Sequence, residues 1–261
     1  MKEPDVCENA VAYAIKNGYR HIDTAAFYMN ESIIGNAIKK SGVDRSELFI
    51  TSKLWNTEHT YEKTMKAFMK TCSDLQVDYL DLYLIHWPRP IAFYDNWAQA
   101  NSETWRAFEE LYNAGKIKAI GLSNFLPKHI DALLETAKIK PMVNQIELHP
   151  GLDRSDVISY CKQKAIQIEA WAPFAVGSTF EIPLLKELSK KYDRPISQIV
   201  IRWFTQNGIV PLPKSVTPSR IAENLDVYDF ELSAEDMYKI DNITGEGEQF
   251  KLHHDPDNIN F

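Results

Sequence analysis

The stretch YLDLYLIH, residues 79–86, is a nearly continuous run of apolar and aromatic residues that ends in a histidine. Its length and composition predict a β-strand. A strand that is apolar on both faces is typical of a parallel sheet covered by helices on both sides. This stretch therefore predicts an α/β protein whose sheet is built from parallel strands.

On both sides of this strand the chain alternates between strand-like and helix-like segments. The predicted strands are 19–23, 48–53, 79–86, 119–124, 142–147, 166–171 and 208–214. The predicted helices are 5–17, 30–40, 60–75, 102–114, 127–137, 153–164, 182–191, 196–206, 218–225 and 233–241. Helical periodicity supports these assignments, and in 60–75 it predicts that Phe68, Met69 and Leu75 face inward. Asn30 and Thr217 are the expected caps of the helices that follow them.

Such a regular alternation predicts a parallel sheet, either open or closed into a barrel. Seven strands are one fewer than a (β/α)₈ barrel needs. The chain opens on a helix, where the helix after strand one would lie. Either the sheet is not a standard barrel, or strand one is missing from the start of the chain. No linker or repeat interrupts the pattern, so residues 1–261 are expected to form a single domain.

The totals narrow the class of protein. The chain has 261 residues, of which 44% are hydrophobic and 25% charged, as in an ordinary globular protein. A net charge of -7 argues against nucleic acid or an anionic membrane as partner. Cys7, Cys72 and Cys161 are widely spaced and odd in number, which is typical of reduced thiols in the cytoplasm. No signal-peptide pattern or membrane-length apolar run occurs, so a soluble cytoplasmic protein is expected.

Each predicted strand has, at or near its end, a residue that can bond, titrate or stack. These residues are Asp23, Lys53, His86, Ser123 with Asn124, Gln145, Trp171 and Lys214. Any one of them could simply begin a solvated loop, and Asp23 with Lys53 could be a structural ion pair. In a parallel barrel, however, all the strand ends converge on the face that carries the site. The coincidence over seven strands favours a shared functional site.

Four of the polar residues suggest a proton-transfer chemistry. A free tyrosine has a pKa near 10, too high for a good proton donor at neutral pH, and a nearby ammonium lowers that pKa. Tyr28 is therefore the candidate acid, Lys53 its electrostatic partner, and Asp23 the carboxylate that keeps Lys53 charged. His86 could donate to a substrate oxygen. Such a set protonates an oxygen as negative charge develops on it, which fits carbonyl reduction and also enolisation.

A second signal lies in PLPKSVTPSRIAEN, residues 211–224. Lys214 and Arg220 flank the start of a predicted helix, which favours an anion site, although a capped helix with a surface arginine fits equally well. No G-x-G-x-x-G follows any strand, so a Rossmann dinucleotide site is not indicated. The adjacent histidines of HHDP (253–256) lack the spacing of a known metal site, and no metal is expected.

At these residues the sequence resembles the aldo-keto reductase superfamily over nearly the whole chain. The matching stretches are GYRHIDTAAFY (18–28), TSKLWN (51–56), DLYLIHWP (81–88), IGLSNF (120–125), NQIELHP (144–150) and IVPLPKSVTPSRIAEN (209–224). The tail HHDPDNINF (253–261) resembles the short C-termini of bacterial members. The resemblance implies a TIM-type (β/α)₈ barrel and NADPH-dependent reduction of aldehydes and ketones to alcohols.

The resemblance also implies roles for individual residues. The catalytic four would be Asp23, Tyr28, Lys53 and His86, with Tyr28 as the proton donor. The residues it assigns to NADP(H) are Asp23, Ser123, Asn124, Gln145, Trp171, Lys214, Ser215, Val216, Thr217, Arg220, Glu223 and Asn224. Trp55, Trp87 and His86 would line the substrate site. Lys214 with Arg220 points to NADP rather than NAD, since both would hold the 2′-phosphate.

Three features depart from the family pattern. The usual N-terminal hairpin and first strand are expected to be missing from this chain, which agrees with the count of seven strands and would leave unpaired sheet edges. Trp171 replaces a commoner tyrosine, although its flat face can still stack on a nicotinamide ring. The segment between Trp87 and Trp105 is short, so an open and permissive substrate pocket is expected.

Two other functions remain open from the sequence. A catalytically weak NADP(H)-binding protein or redox-sensor subunit would be consistent with a missing first strand. A barrel lyase or isomerase could use Lys53 or Lys214 as a Schiff-base amine, although Lys53 has the wrong neighbours if Asp23 keeps it protonated. A monomer acting on a small carbonyl compound is the expected form.

Overall fold

The computed structural model of the chain describes residues 3–243 and 255–261. Its helices and strands alternate along these residues, with strand order following the order of the chain in one seven-stranded sheet. The pairings of β1 (His21–Asp23), β2 (Phe49–Leu54), β3 (Leu80–Ile85) and β4 (Ile117–Ser123) are parallel. So is the pairing of β6 (Gln167–Trp171) with β7 (Val210–Leu212). This α/β arrangement is consistent with a TIM-type barrel.

The backbone divides into two compact units. The first contains the residues up to Asn144 together with the described C-terminal residues, and the second contains the residues from Gln145 onward. The boundary falls within β5 (Val143–Glu147). Helices of the first unit are α1 (Pro4–Lys16), α2 (Glu31–Ser41), α3 (Tyr61–Leu75), α4 (Trp97–Asn113) and α5 (Pro127–Leu134). Helices of the second are α6 (Ser155–Gln163), α7 (Pro183–Tyr192), α8 (Ile196–Gln206), α9 (Pro218–Glu223) and α10 (Ala234–Asp241).

Strand β3 is buried along its whole length, as the apolar run predicts. On one face Leu82 and Leu84 pack with Val143 in a buried cluster. On the other face the ring of Tyr83 lies 4.8 Å from Phe108 of α4 and 5.7 Å from Phe68 of α3, measured between centroids. Because both faces of the strand are covered, it has no need of alternating polar residues.

The register of the parallel strands places three polar side chains on the same face. Asp23 pairs with Thr51, and Lys53 lies two residues further along β2. Lys53 pairs with Leu84, and His86 lies two residues beyond Leu84. Because side chains alternate along a strand, residues two apart share a face, so Asp23, Lys53 and His86 point to the same side of the sheet.

Several sequence-based expectations need correction. Helix α4 begins at Trp97, five residues earlier than predicted, and Asn101 inside it donates to the carbonyl of Pro88. Strand β7 is shorter than predicted, since Pro211 and Pro213 have no backbone N–H to donate. Met69 is 62% exposed rather than inward-facing.

The two expected helix caps are also absent. The side chain of Asn30 makes no cap hydrogen bond, because it accepts from Thr24 and donates to the sulfur of Cys7 instead. The side chain of Thr217 does not cap α9 either. The seven strands in the described residues match the predicted count, and the absence of strand one of an eight-stranded barrel from this chain stays a prediction.

Candidate active site

An ion pair between β1 and β2 forms the base of the site in the first unit. The Nζ of Lys53 donates to Asp23 Oδ1 at 2.6 Å and to the carbonyl oxygen of Thr24 at 2.9 Å. The side chain of Lys53 is only 1% exposed. A buried ammonium needs a paired carboxylate and further hydrogen bonds to remain charged. Asp23 and the Thr24 carbonyl meet that need, so the structure holds a fixed positive charge at this point.

Tyr28 lies beside this charge. It ends the short 3₁₀ helix Ala26–Tyr28, which follows β1, and the residue is 40% exposed. The Nζ of Lys53 is 5.5 Å from the centroid of its ring. The ring of His86 lies 6.1 Å from that of Tyr28 and nearly perpendicular to it. The structure thus brings together all four residues that the sequence assigns to proton transfer.

The pKa of Tyr28 differs from the expectation. The charge of Lys53 is the largest single influence and lowers this pKa, as predicted. Burial and the negative charge of Asp23 act in the opposite direction, and the resulting pKa is above the ordinary value of 10.0. The expected net lowering of the Tyr28 pKa is therefore wrong. The phenol is fully protonated at neutral pH, which is the form needed by a proton donor.

His86 is neutral at neutral pH. Burial lowers its pKa well below the ordinary value of 6.5, and the positive charge of Lys53 lowers it further. Its Nδ1 is buried and has no hydrogen-bond partner among the residues that the structure describes. A neutral imidazole carries a single N–H, so His86 can donate one hydrogen bond to a substrate oxygen.

Aromatic side chains form a wall next to the four polar residues. The ring of Trp55 stacks on Phe27 at a centroid distance of 3.9 Å and meets His86 edge-on at 5.3 Å. Phe261 stacks parallel to Trp55 at 5.9 Å and meets Trp87 edge-on at 5.6 Å. The sequence pointed to both tryptophans but missed Phe27 and Phe261. Phe27 directly precedes Tyr28 in one matching stretch, and Phe261 ends the matching tail 253–261, but neither position by itself predicts a contact with the tryptophans.

Ser123 and Asn124 are held at the end of β4. The Nδ2 of Asn124 donates to the carbonyl of His86 at 3.0 Å and to the Oγ of Ser123 at 3.1 Å. Asn124 has a left-handed backbone with φ of 64°, which asparagine tolerates better than most residues. These contacts link Ser123 and Asn124, two of the residues that the sequence assigns to the cofactor, to the strand end that carries His86.

In the second unit, two of the predicted residues lie on adjacent strands. The Nε2 of Gln145 donates to Glu169 Oε2 at 2.9 Å. Trp171 ends β6 with its side chain partly exposed, and its carbonyl accepts from the N–H of Leu148. The carboxamide of Gln145 is therefore fixed in orientation, and Trp171 offers part of its surface for stacking.

The segment around α9 contains two cationic side chains, Lys214 and Arg220, of the kind that bind phosphate. Lys214 and Arg220 are exposed, and neither forms an ion pair with any other residue in the described part of the chain. The hydroxyl of Ser215 accepts from the N–H of Thr217, which lies beside the exposed Val216. Glu223 is fixed by Ser197, whose hydroxyl donates to its carboxylate at 2.8 Å. Asn224 is buried.

Neither metal-binding clusters nor membrane spans occur in the part of the chain that is described. No group of three or more candidate ligand residues meets there. No helix there has the length and apolar character required to cross a membrane. The histidines of HHDP, His253 and His254, lie outside the described residues.

Comparisons with known proteins, by sequence and by fold, all lead to one family. A family profile described as "Aldo/keto reductase family" matches residues 2–244. The chain is 52% identical over 232 residues to glyoxal reductase of Bacillus subtilis (strain 168), covering 89% of this chain and 81% of that protein. Its fold matches MGS-M4, an aldo-keto reductase enzyme from a Medee basin deep-sea metagenome library. That match has a TM-score of 0.93 and 44% identity, over 100% of this chain and 93% of the other. A mutant of Gox0644 crystallised in complex with NADPH matches at a TM-score of 0.91 and 37% identity, over 99% and 91% of the two chains.

Proposed function

We propose a function for this chain, which belongs to the aldo/keto reductase family. On that premise, the protein is an NADPH-dependent oxidoreductase that reduces aldehydes and ketones to alcohols. The observation that carries the proposal is the grouping of Tyr28, Lys53, Asp23 and His86 in one place. A protonated phenol and a neutral imidazole can both donate to a carbonyl oxygen. The relatives support the reaction class, since one is named glyoxal reductase and another was crystallised with NADPH.

NADPH would supply the hydride that adds to the carbonyl carbon. Tyr28 would supply the proton, so that the O–H of the phenol breaks as the O–H of the alcohol forms. The remaining phenolate lies next to the ammonium of Lys53, which stabilises its negative charge. Asp23 keeps that ammonium in place, and a proton from solvent restores the phenol after turnover.

The residues of this chain also support the choice of cofactor. Lys214 and Arg220 provide two exposed cations without ion-pair partners in the described residues, which suits the additional phosphate of NADPH. The other residues assigned to the cofactor are Asp23, Ser123 and Asn124 in the first unit and Gln145, Trp171, Ser215, Val216, Thr217, Glu223 and Asn224 in the second. Trp55, Trp87 and His86 are proposed to contact the substrate. A single-domain, monomeric and cytoplasmic protein remains the proposal from the sequence.

The decisive experiment is the substitution Tyr28→Phe. It removes the proton donor and keeps the ring, so we expect NADPH affinity to stay within about twofold while turnover of aldehydes falls about 10²- to 10⁴-fold. Fluorescence titration would measure the dissociation constants for NADPH and NADH, and NADPH oxidation would measure turnover. Tyr61→Phe, which removes a surface phenol bonded to Glu110, is the matched control.

Three results would count against the proposal. Turnover by Tyr28→Phe at the wild-type rate would remove the role of Tyr28. Binding of NADPH by the wild type without turnover on a broad aldehyde and ketone panel would support a catalytically weak binding protein. Labelling of a lysine by borohydride in the presence of substrate would favour Schiff-base chemistry, although Lys53 is buried and bonded to Asp23.

A further inference from the structure

The described C-terminal residues of the first unit reach the aromatic wall of the candidate site. Phe261 contacts both Trp55 and Trp87, and the Nδ2 of Asn56 donates to its backbone carbonyl at 3.3 Å. Ile259, two residues earlier, is buried. Phe261 is therefore one face of the surface that a substrate would meet, and what holds it there affects the shape of the site.

Asp257 fixes this segment to the first turn of α5. Its Oδ2 accepts from Lys128 Nζ at 2.6 Å, and its Oδ1 accepts from His129 Nε2 at 2.9 Å. Its backbone carbonyl accepts from Arg89 Nη1 at 3.4 Å. Next to it, the Oδ1 of Asn258 accepts from the hydroxyl of Tyr94 at 3.3 Å. We call the group of Asp257, Lys128 and His129 the carboxylate clamp.

The clamp is set up by the local structure of α5. The Nδ1 of His129 accepts from the backbone N–H of Leu126 at 3.1 Å, so the ring proton of a neutral imidazole must lie on Nε2, the atom that faces Asp257. The His129 side chain is fully buried, which fixes its position. Lys128 supplies the positive charge from the more exposed side. A carboxylate with two acceptor oxygens matches these two donors.

We propose that Asp257 is a positioning residue which, through the carboxylate clamp, holds Phe261 against Trp55 and Trp87 and thereby selects carbonyl substrates that carry a flat, apolar substituent. This inference rests on the proposed carbonyl reduction. At the reacting end, Tyr28 and His86 would donate to any carbonyl oxygen alike. The aromatic wall of Phe261 and the two tryptophans is what distinguishes an aromatic aldehyde from a small polar one.

The test compares Asp257→Ala, Phe261→Ala and the double variant on benzaldehyde and glyoxal. We expect each single variant to raise KM for benzaldehyde about threefold to tenfold, the range that corresponds to the loss of one aromatic contact. We expect kcat for benzaldehyde to stay within about twofold, since neither residue transfers a proton. KM for glyoxal should also stay within about twofold, because glyoxal carries no flat, apolar substituent to contact the aromatic wall. Because Asp257 acts through Phe261, the double variant should match Phe261→Ala alone.

Two further variants separate positioning from general damage. Asp257→Asn keeps one acceptor for His129 and loses the charge that pairs with Lys128, so it should fall between wild type and Asp257→Ala. Glu62→Ala removes an exposed carboxylate on α3 and should match the wild type. An unchanged KM for benzaldehyde in Asp257→Ala, or fully additive effects in the double variant, would overturn the inference.

A readout without catalysis keeps this result separate from the proposed function. Amide hydrogen exchange of the peptide that contains Asn258–Phe261 should be faster in Asp257→Ala than in the wild type, with NADPH affinity unchanged. If the wild type binds NADPH and reduces no aldehyde, the proposed reaction fails and the selectivity proposal fails with it. Faster exchange would then still establish the anchor. If exchange is unchanged, the clamp does not hold Phe261.

Discussion

At the scale of single residues, the central feature is a buried ammonium that serves two neighbours. Lys53 pairs with Asp23, and it also lies against the ring of Tyr28. Its charge opposes the effects of burial and of Asp23 on the pKa of Tyr28. In the proposed proton transfer from Tyr28, the charge of Lys53 would be the favourable influence on the phenolate. Lys53 therefore has a structural role and an electrostatic role that a single substitution would confound.

Comparing Lys53→Met with Lys53→Met/Asp23→Asn separates these two roles. The single variant removes the ammonium that pairs with the Asp23 carboxylate, which we expect to cost about 3–5 kcal/mol of unfolding free energy. The double variant removes both charges, so most of that stability should return. Turnover should remain about 10²- to 10⁴-fold below wild type in both variants, because the phenolate of Tyr28 has lost its ammonium.

Urea unfolding and NADPH oxidation measure the two quantities, and Lys63→Met on the surface of α3 is the control. Recovery of turnover together with stability in the double variant would show that Lys53 acts only as a structural partner of Asp23.

The residue types of the site could be predicted because they follow strand ends, whose positions the apolar pattern marks. Asp23, Lys53 and His86 were predictable for this reason, and the register explains why they share a face. Phe261 and Asp257 could not be predicted from the strand pattern, since they lie in a tail without periodicity. Their contacts with Trp55, Lys128 and His129 depend on tertiary packing.

At the scale of elements, β4 passes its neighbours too closely to carry a side chain at one position. A Cβ on Gly121 would lie 2.7 Å from the carbonyl oxygen of Val143 and 2.8 Å from a methyl carbon of Leu84. Gly121 pairs with Leu84 in the sheet and lies two residues before Ser123. The close approach of the strands therefore sets where the end of β4 presents Ser123 and Asn124.

Gly121→Ala should thus affect both stability and the site. We expect a loss of about 1–3 kcal/mol in unfolding free energy, because a backbone oxygen cannot move aside easily. Turnover should fall about tenfold or more, since a displaced strand end misplaces Ser123 and Asn124.

Gly42→Ala is the matched control for this substitution. It adds the same methyl group in open space at a φ of +70°, so it should cost about 1–2 kcal/mol and leave turnover unchanged. If both variants lose turnover equally, or Gly121→Ala keeps the wild-type rate, the close approach does not position the site.

The elements themselves were largely predictable, and the misses have local causes. Long apolar periodicity gave α3 and β3 within a residue or two of their observed ends. The predicted start of α4 was five residues late; residues 97–101 are Trp, Ala, Gln, Ala and Asn, and Asn101 bonds back to the carbonyl of Pro88. The predicted range of β7, 208–214, was too long because two prolines interrupt the backbone hydrogen bonding of the strand.

At the scale of the whole molecule, buried neutral histidines link stability to pH. Four histidines in the described residues have lowered pKa values, with burial as the largest cause: His21, His59, His86 and His129. Below pH 6.5 the unfolded chain protonates these residues and the folded chain resists. The unfolded state then binds more protons, so stability is lost as pH falls. The buried carboxyl of Glu31 acts in the opposite direction, because burial raises its pKa.

His59 offers the clearest test of this linkage. It is fully buried, its ring stacks on Phe93, and burial lowers its pKa from 6.5 to about 3. Its share of the stability is complete above pH 6.5 and is lost between that value and about pH 3, at about 1.4 kcal/mol per pH unit. Between pH 7 and pH 5, His59→Leu should therefore lose about 2 kcal/mol less unfolding free energy than the wild type.

Urea unfolding at several pH values measures the unfolding free energy of both proteins. The contribution of Glu31 is the same in both and cancels in the difference. Phe68→Leu, a buried substitution against Tyr83, is the control: it should lower stability equally at every pH. Parallel pH curves for His59→Leu and wild type would mean that the folded chain takes up a proton at His59 as readily as the unfolded chain. The acid sensitivity of the molecule would then come from the other three histidines, which lie beside the ion pair, the aromatic wall or the carboxylate clamp, and from carboxylates such as Asp236, whose pKa is lowered to about 2.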